Sequence, residues 1–215
     1  MSIKLPVQSA LVAMAPECGR VIESFRGRHD PSAADGLPAH ITLLFPFRPP
    51  NTVDKTVVQG LEELFESFSA IHYRLADFRR FPGVLYLAPE PDEPFRKLTL
   101  AIWERNPQFP PYAGKHPDIV PHLTVAQSPD ERELDQIEEE LMRASKQVLP
   151  IAASIQEVTL IDTLMGRWRV RHTFRFGLRS CGEHGGIWYS HEESDNHHEE
   201  EEERLGKRKR RRLSL

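Results

Sequence analysis

Twice in this chain a histidine and a threonine stand two residues apart inside a short aliphatic run: His40-Ile41-Thr42-Leu43 and His122-Leu123-Thr124-Val125. The pattern constrains the fold because each run reads as the start of a strand. Successive strand side chains point to opposite faces. Ile41 and Leu43 therefore turn into a core while His40 and Thr42 share the other face, and Leu123 and Val125 divide from His122 and Thr124 in the same way. A proline precedes each run, Pro38 two residues before the first and Pro121 directly before the second.

The surrounding periodicity predicts alternating strands and helices. Strands are expected at Ser9–Ala15 and His40–Phe47, a hairpin at Tyr73–Arg80 and Val84–Ala88 turned at Pro82-Gly83, a strand at His122–Gln127, and a closing hairpin at Val158–Leu164 and Trp168–Phe176 turned at Gly166. Helices are expected at Glu17–Arg28, Thr52–Phe68, Glu93–Trp103 and Asp130–Val148, the last capped by Ser128 or Asp130. A Pro-rich connection spans Pro107–Pro117. That makes seven strands and four helices. A strand with a histidine, then a helix, then a hairpin occurs twice, which suggests two similar lobes.

Composition narrows the class. The 215 residues suit one domain or two small lobes, and 39% apolar with 28% charged content is that of a soluble globular protein. No apolar run approaches the ~18 residues of a membrane span. The early apolar stretch Ala10–Ala15 lacks the charged start and longer core of a secretory signal. Cys18 and Cys181 fit neither a zinc spacing nor a disulfide framework, so a reducing, cytoplasmic location is expected. From Ser180 on, nine acidic and seven basic residues alternate in blocks, leaving 23 acidic against 21 basic in the body. A nearly neutral body is no general polyanion-binding surface. The expected division is a folded domain over 1–179 and a charged tail over 180–215. From Cys181 on, the tail is too poor in apolar residues to offset the entropy of ordering, and disorder is expected there. Its basic run Lys207–Arg212 reads as a solvated charge block before an import or nucleic-acid patch.

Two imidazoles and two hydroxyls on one surface suggest phosphorus chemistry. Imidazole titrates near pH ~6.5, so one histidine can accept a proton while the other donates one. Such a pair suits in-line displacement at phosphorus. Thr42 and Thr124 would donate hydrogen bonds to the non-bridging oxygens, where charge accumulates. The design requires no metal and no cofactor.

The stretches AHITLLFPF, VPHLTVAQ and GRWRVRHTFRFG resemble the 2H phosphoesterase superfamily over residues 8–178, nearest the 2′-5′ RNA ligase/cyclic phosphodiesterase branch. The resemblance implies an α+β, bilobal fold with two pseudo-symmetric antiparallel sheets, each flanked by helices, around a central cleft, and motifs on central strands. It implies metal-independent opening of a 2′,3′-cyclic phosphodiester on an RNA end or small nucleotide. His122 would activate water, His40 would protonate the leaving oxygen, and Thr42 and Thr124 would hold the phosphate. The same acid–base pair could run backwards as an RNA 2′-5′ ligase. A non-catalytic module that binds an RNA end or nucleotide, and an interaction protein acting through its tail, remain alternatives. RNA-processing members often carry an arginine where this chain has Gln127, and Pro46-Phe47 replaces a Leu-Gly pair; both depart from a standard RNA-end substrate.

Other residues carry weaker signals. Arg167, Arg169 and Arg171 would share one strand face, exposed or lining the cleft, and His172 the opposite face. Tyr86 is a base-stacking candidate, although a buried hairpin tyrosine is the commoner case. Phe45 and Phe47 read as core, and His29, His72 and His116 have no partner pattern. A monomer without membrane association is expected. Deleting residues 181–215 should leave turnover of a small cyclic nucleotide nearly unchanged, measured as kcat/KM against the full chain.

Overall fold

The computed structural model describes residues 6–177, so every expectation for the tail lies outside the described residues. The elements run β1 (Ser9–Met14), α1 (Gly19–His29), α2 (Pro31–Ala34), β2 (His40–Leu44), α3 (Lys55–Phe65), β3 (Ile71–Phe81), β4 (Val84–Glu90), α4 (Glu93–Arg105), β5 (Leu123–Gln127), α5 (Glu131–Ser145), β6 (Ile151–Ile155), β7 (Glu157–Asp162) and β8 (Arg169–Arg175). The unanticipated strand is β6. Its Ile-Ala-Ala-Ser-Ile sequence offers no alternation, and only pairing with β3 draws it out as an edge. Helix α3 starts later than expected because Asp54 caps it, accepting from the Val57 N–H. Of the two expected caps for α5, Asp130 accepts from the Arg132 N–H, while Ser128 donates to Glu133.

Two antiparallel four-stranded sheets result, ordered β2-β1-β7-β8 and β5-β4-β3-β6. The lobes are not the two halves of the sequence: the closing hairpin β7–β8 returns to the sheet begun by β1 and β2. The repeated unit is a strand, a helix and an antiparallel strand, β1-α1-β2 and β4-α4-β5, each with a motif at the start of its last strand. The motif strands β2 and β5 are edges of their sheets, not central strands as the resemblance implied. They lie beside each other, so the two motif strands are neighbours across the sheets.

The helices cross over. Helix α1 packs on β5 of the second sheet, and α4 packs on β2 of the first. Both lobes thereby share one apolar cluster. It joins Leu11, Ile41 and Leu43 of the first sheet to Leu85, Leu123 and Val125 of the second through Ile22, Leu98 and Ile102 of the helices. Each fully buried aliphatic side chain contributes about 1.5–3 kcal/mol.

The β3–β4 turn positions β4 beside the second motif strand. Gly83 has φ +74°, the left-handed region, and its carbonyl accepts from the Ser128 N–H. A Cβ at Gly83 would lie 3.2 Å from the Ser128 carbonyl oxygen. Gly83→Ala should therefore destabilise the fold by about 1–2 kcal/mol, read as a lowered urea midpoint.

Candidate active site

In both motif strands the sequence alternation is realised. Ile41, Leu43, Leu123 and Val125 are buried, while His40, Thr42, His122 and Thr124 are half-buried. A matching irregularity follows each threonine. Val12 pairs with Thr42 and Leu11 with Leu44, so Leu43 is an extra residue. Tyr86 pairs with Thr124 and Leu85 with Ala126, so Val125 is likewise extra. Such bulges bend a strand and re-aim its side chains.

The two imidazoles are held alike. His40 Nδ1 lies 2.8 Å from the Pro38 carbonyl oxygen, and His122 Nδ1 lies 2.7 Å from the Val120 carbonyl oxygen. A carbonyl only accepts, so Nδ1 carries the hydrogen in each ring and Nε2 of the neutral imidazole is left with its lone pair. Burial pushes the His40 pKa down to about 4, against the raising effect of the Pro38 carbonyl; the Arg26 charge lowers it, Asp30 raises it and His122 lowers it. Burial also lowers the pKa of His122, opposed by the Val120 carbonyl. Each histidine thus feels a partly desolvated site, and His40 feels the charge of His122 directly.

With this fold and this doubled motif in place, the comparisons decide the family. A profile of the 2′-5′ RNA ligase superfamily matches residues 14–167. The chain belongs to that superfamily. It is 26% identical over 164 residues to a candidate phosphoesterase of Bacillus licheniformis, covering 73% of this chain and 90% of that protein. A second candidate phosphoesterase, from Bacillus pumilus, is 33% identical over 111 residues, 50% of this chain and 61% of the relative. Among solved structures, apo LigT of E. coli is similar with a TM-score of 0.50 at 17% identity, covering 80% of this chain and 98% of LigT. LigT has also been solved with 3′-AMP; that structure aligns with a TM-score of 0.48 at 17% identity over 80% of this chain and 99% of LigT. The profile match carries the family, and the likeness to apo LigT shows the fold alone.

The second His-x-Thr pair stands beside features that sequence reasoning missed. His122 sits among three aromatic rings: Phe81 at 5.1 Å and Tyr86 at 5.4 Å meet it edge-on, and Tyr112 lies nearly parallel at 6.3 Å. A cavity of about 670 Å³ opens from His122 and Thr124 between Phe81, Val84, Tyr112 and Val120. Tyr112 comes from the Pro-rich connection, which carried no sequence signal of a site. It has φ 52° and is followed by Ala113 at φ 54°, a left-handed pair without glycine. Such strain costs on the order of 1–3 kcal/mol per residue and persists where surroundings over-determine it. Here the Tyr112 N–H donates to the Phe45 carbonyl at the end of β2. Burial pushes the Tyr112 phenol up to about 12. His116, which had no partner pattern, stands 5.7 Å from Tyr112 and lines the same cavity.

The arginine candidates lie on another edge of the first sheet. Strand β8 is the edge opposite β2, and Arg167 and Arg169 are exposed there. The register steps from His172 opposite Leu160 to Val170 opposite Ile161, which makes Arg171 the extra residue of a bulge. That bulge interrupts the alternation on which a shared arginine face rested. Arg171 donates to the carbonyls of Pro50 and Val53 and faces Asp162 at 3.6 Å. His172 contacts Glu62 at 3.1 Å. Tyr86 is only 5% exposed and stacks on Phe81 at 4.4 Å, behind His122. Gln127 lines the cavity and its side-chain nitrogen is 3.5 Å from Asp30. Among the described residues no cluster of three or more His, Cys, Asp or Glu side chains is arranged to hold a metal ion, and no helix is long and apolar enough to cross a membrane.

The histidine environments set a pH dependence of stability. The unfolded chain takes up these protons near pH ~6.5, whereas folded His40 does so near pH 4 and folded His122 below its ordinary value. Between those values the unfolded state binds more protons, so this stabilisation is complete above pH ~6.5 and is lost as pH falls toward 4. Urea titrations should show His40→Gln losing less stability than wild type from pH 7 to pH 5. Imidazole proton shifts should show both rings neutral at pH 7.

Proposed function

We propose that this protein is a metal-independent phosphoesterase that opens a 2′,3′-cyclic phosphodiester on an RNA end or small nucleotide. The observation that carries the reading is the doubled site: two motif strands present histidine and threonine together, with the same Nδ1 anchor and the same bulge. Following the family pattern, His122 Nε2 takes a proton from water as the water oxygen bonds to phosphorus. The bond from phosphorus to the 3′ oxygen breaks, and His40 gives that oxygen its proton. The product is a 2′-phosphate, and one proton has moved from one imidazole to the other. Thr42 and Thr124 donate to the two non-bridging oxygens, whose charge rises in the transition state.

The protonation states fit such a cycle once an anion is bound. In the free protein both histidines are neutral near pH 7 because burial disfavours their cations. A bound phosphate anion between them favours imidazolium and restores one proton. A low intrinsic pKa also makes protonated His40 a strong donor to a departing alkoxide. The cavity beside His122 has room for a base or sugar next to the phosphate, with Tyr112 and Phe81 as aromatic walls.

Hydrolysis of a small 2′,3′-cyclic nucleotide in excess chelator tests the reading. Wild type should turn over, His40→Ala and His122→Ala should each lose ~10²–10⁴-fold in kcat, and Thr42→Val or Thr124→Val roughly 10²-fold. The free-enzyme profile of kcat/KM should rise as pH falls from 8 toward 6, because one imidazole must be charged. Wild-type turnover in either alanine variant, or turnover abolished by chelator, would rule the mechanism out.

A further inference from the structure

The least expected group near the site is one the proposed chemistry does not use. Arg26 lies in the last turn of α1 and has no solvent exposure. Its guanidinium is distributed over both lobes. Nε donates to Asp30 at 3.2 Å and to the Thr124 carbonyl at 3.1 Å. Nη2 donates to Asp30 at 2.8 Å, to the Ser32 hydroxyl at 3.2 Å and to the Leu37 carbonyl at 3.2 Å. Nη1 reaches Glu23 at 3.2 Å, and the other oxygen of Glu23 accepts from the Ala39 N–H at 2.7 Å. One end of this set therefore holds the residue directly before His40. The other end holds the carbonyl of Thr124 itself.

Strands β2 and β5 belong to different sheets. No sheet ladder therefore sets the spacing of the two neighbouring motif strands. The buried arginine bridges them. A buried ion pair is often replaceable by apolar residues of similar volume without loss of stability, so its presence is weak evidence for a purely stabilising role. Its fork is also stiff: a guanidinium offers five donors in one plane, and lysine offers a single flexible ammonium.

We propose that Arg26, with Glu23, is the positioning set that fixes the spacing of the two motif strands, and so the registration of the histidine pair on one phosphorus. The catalytic consequence rests on the phosphoesterase reading; the mechanical part does not. In-line displacement requires base, phosphorus and acid to be aligned, and a misplacement of about 1 Å can cost ~10²-fold. Arg26 touches no reacting atom and acts through the backbone at Leu37, Ala39 and Thr124.

Arg26→Lys keeps the cation and loses the fork; Glu23→Ala cuts the link to Ala39 at a side chain that is 39% exposed, so folding is not at stake there. Three readouts are compared with wild type: melting temperature, kcat against KM on a cyclic nucleotide, and the titration of each imidazole by NMR. A widened spacing readmits water, so His40 should titrate closer to its ordinary value in both variants. Loss of charge is not the cause, because the groups acting on His40 are Arg26, Asp30, His122 and the Pro38 carbonyl, and both variants keep all four charges or dipoles in kind. In Arg26→Lys, kcat should fall at least tenfold while KM stays within about threefold. Unchanged histidine titration and unchanged kcat per folded molecule, with only the melting temperature lowered, would overturn the proposal and leave Arg26 a stabilising residue. Should Arg26→Lys fail to fold, Glu23→Ala decides alone by the same criteria. If wild type turns over no cyclic nucleotide, the phosphoesterase reading falls, and the titration still decides the spacing role.

Discussion

A guanidinium with no access to water stands between the two sheets, and the arrangement of the site depends on it. Burying a charge costs several kcal/mol, which must be offset by well-aligned partners. Arg26 finds them in Asp30, itself fully buried at its side chain, in Glu23, and in two backbone carbonyls from opposite lobes. Those partners explain why the local chain runs as it does. Asp30 ends α1 and caps α2, accepting from Ser32, so the carboxylate that neutralises Arg26 is held by the turn that leads to the first motif. An apolar cluster supplies most of the burial on both sides. Dispersion and hydrophobic forces are not directional, however, and would leave the two motif strands free to slide; hydrogen bonds to carbonyls at 37 and 124 are directional.

The fold repeats a strand–helix–strand unit and exchanges the helices between the two copies. Each strand–helix–strand unit ends in a motif strand, and each helix packs beneath the motif strand of the other unit. Neither unit can bury its own helix alone. The equivalence reaches atomic detail, since Nδ1 of each histidine meets the carbonyl two residues earlier and each threonine is followed by a bulge. It stops at the surroundings. His122 is walled by three aromatic rings and a cavity, whereas the face beside His40 carries the small cluster of Met14, Val12 and Ile161, with Phe45 against Trp168. Equivalent groups in unequal surroundings suit the proposed acid and base, because a single proton must prefer one ring at each stage.

Much of this was legible in the chain. The alternation within His40–Leu43 and His122–Val125 predicted which side chains face the core and which stay half-buried on the other face, because strand geometry is local. Four of the five helices were legible from their apolar spacing, and the closing hairpin from Gly166; the short α2 was not, because one turn started by Asp30 and Pro31 carries no apolar period. Strand β6 was not, because small residues carry no pattern and its extended form comes from pairing with β3. The arginines of the closing hairpin were read by simple alternation, and the bulge at Arg171 breaks that rule through pairing with β7.

By itself the sequence determined the two His-x-Thr pairs and the strands that present them, since both follow from residue type and a period of two along a single segment. It could not determine that Arg26, an ordinary basic residue in a helix, would be sealed between the lobes, nor that Tyr112 of a Pro-rich connection would be bent back against His122. Those outcomes depend on contacts between segments about a hundred residues apart or on a strained backbone fixed by a distant carbonyl. Only the tertiary structure decided which sheet each strand joined and how far apart the two histidines stand, because the energy of those choices lies in burial and hydrogen bonding that no single segment possesses.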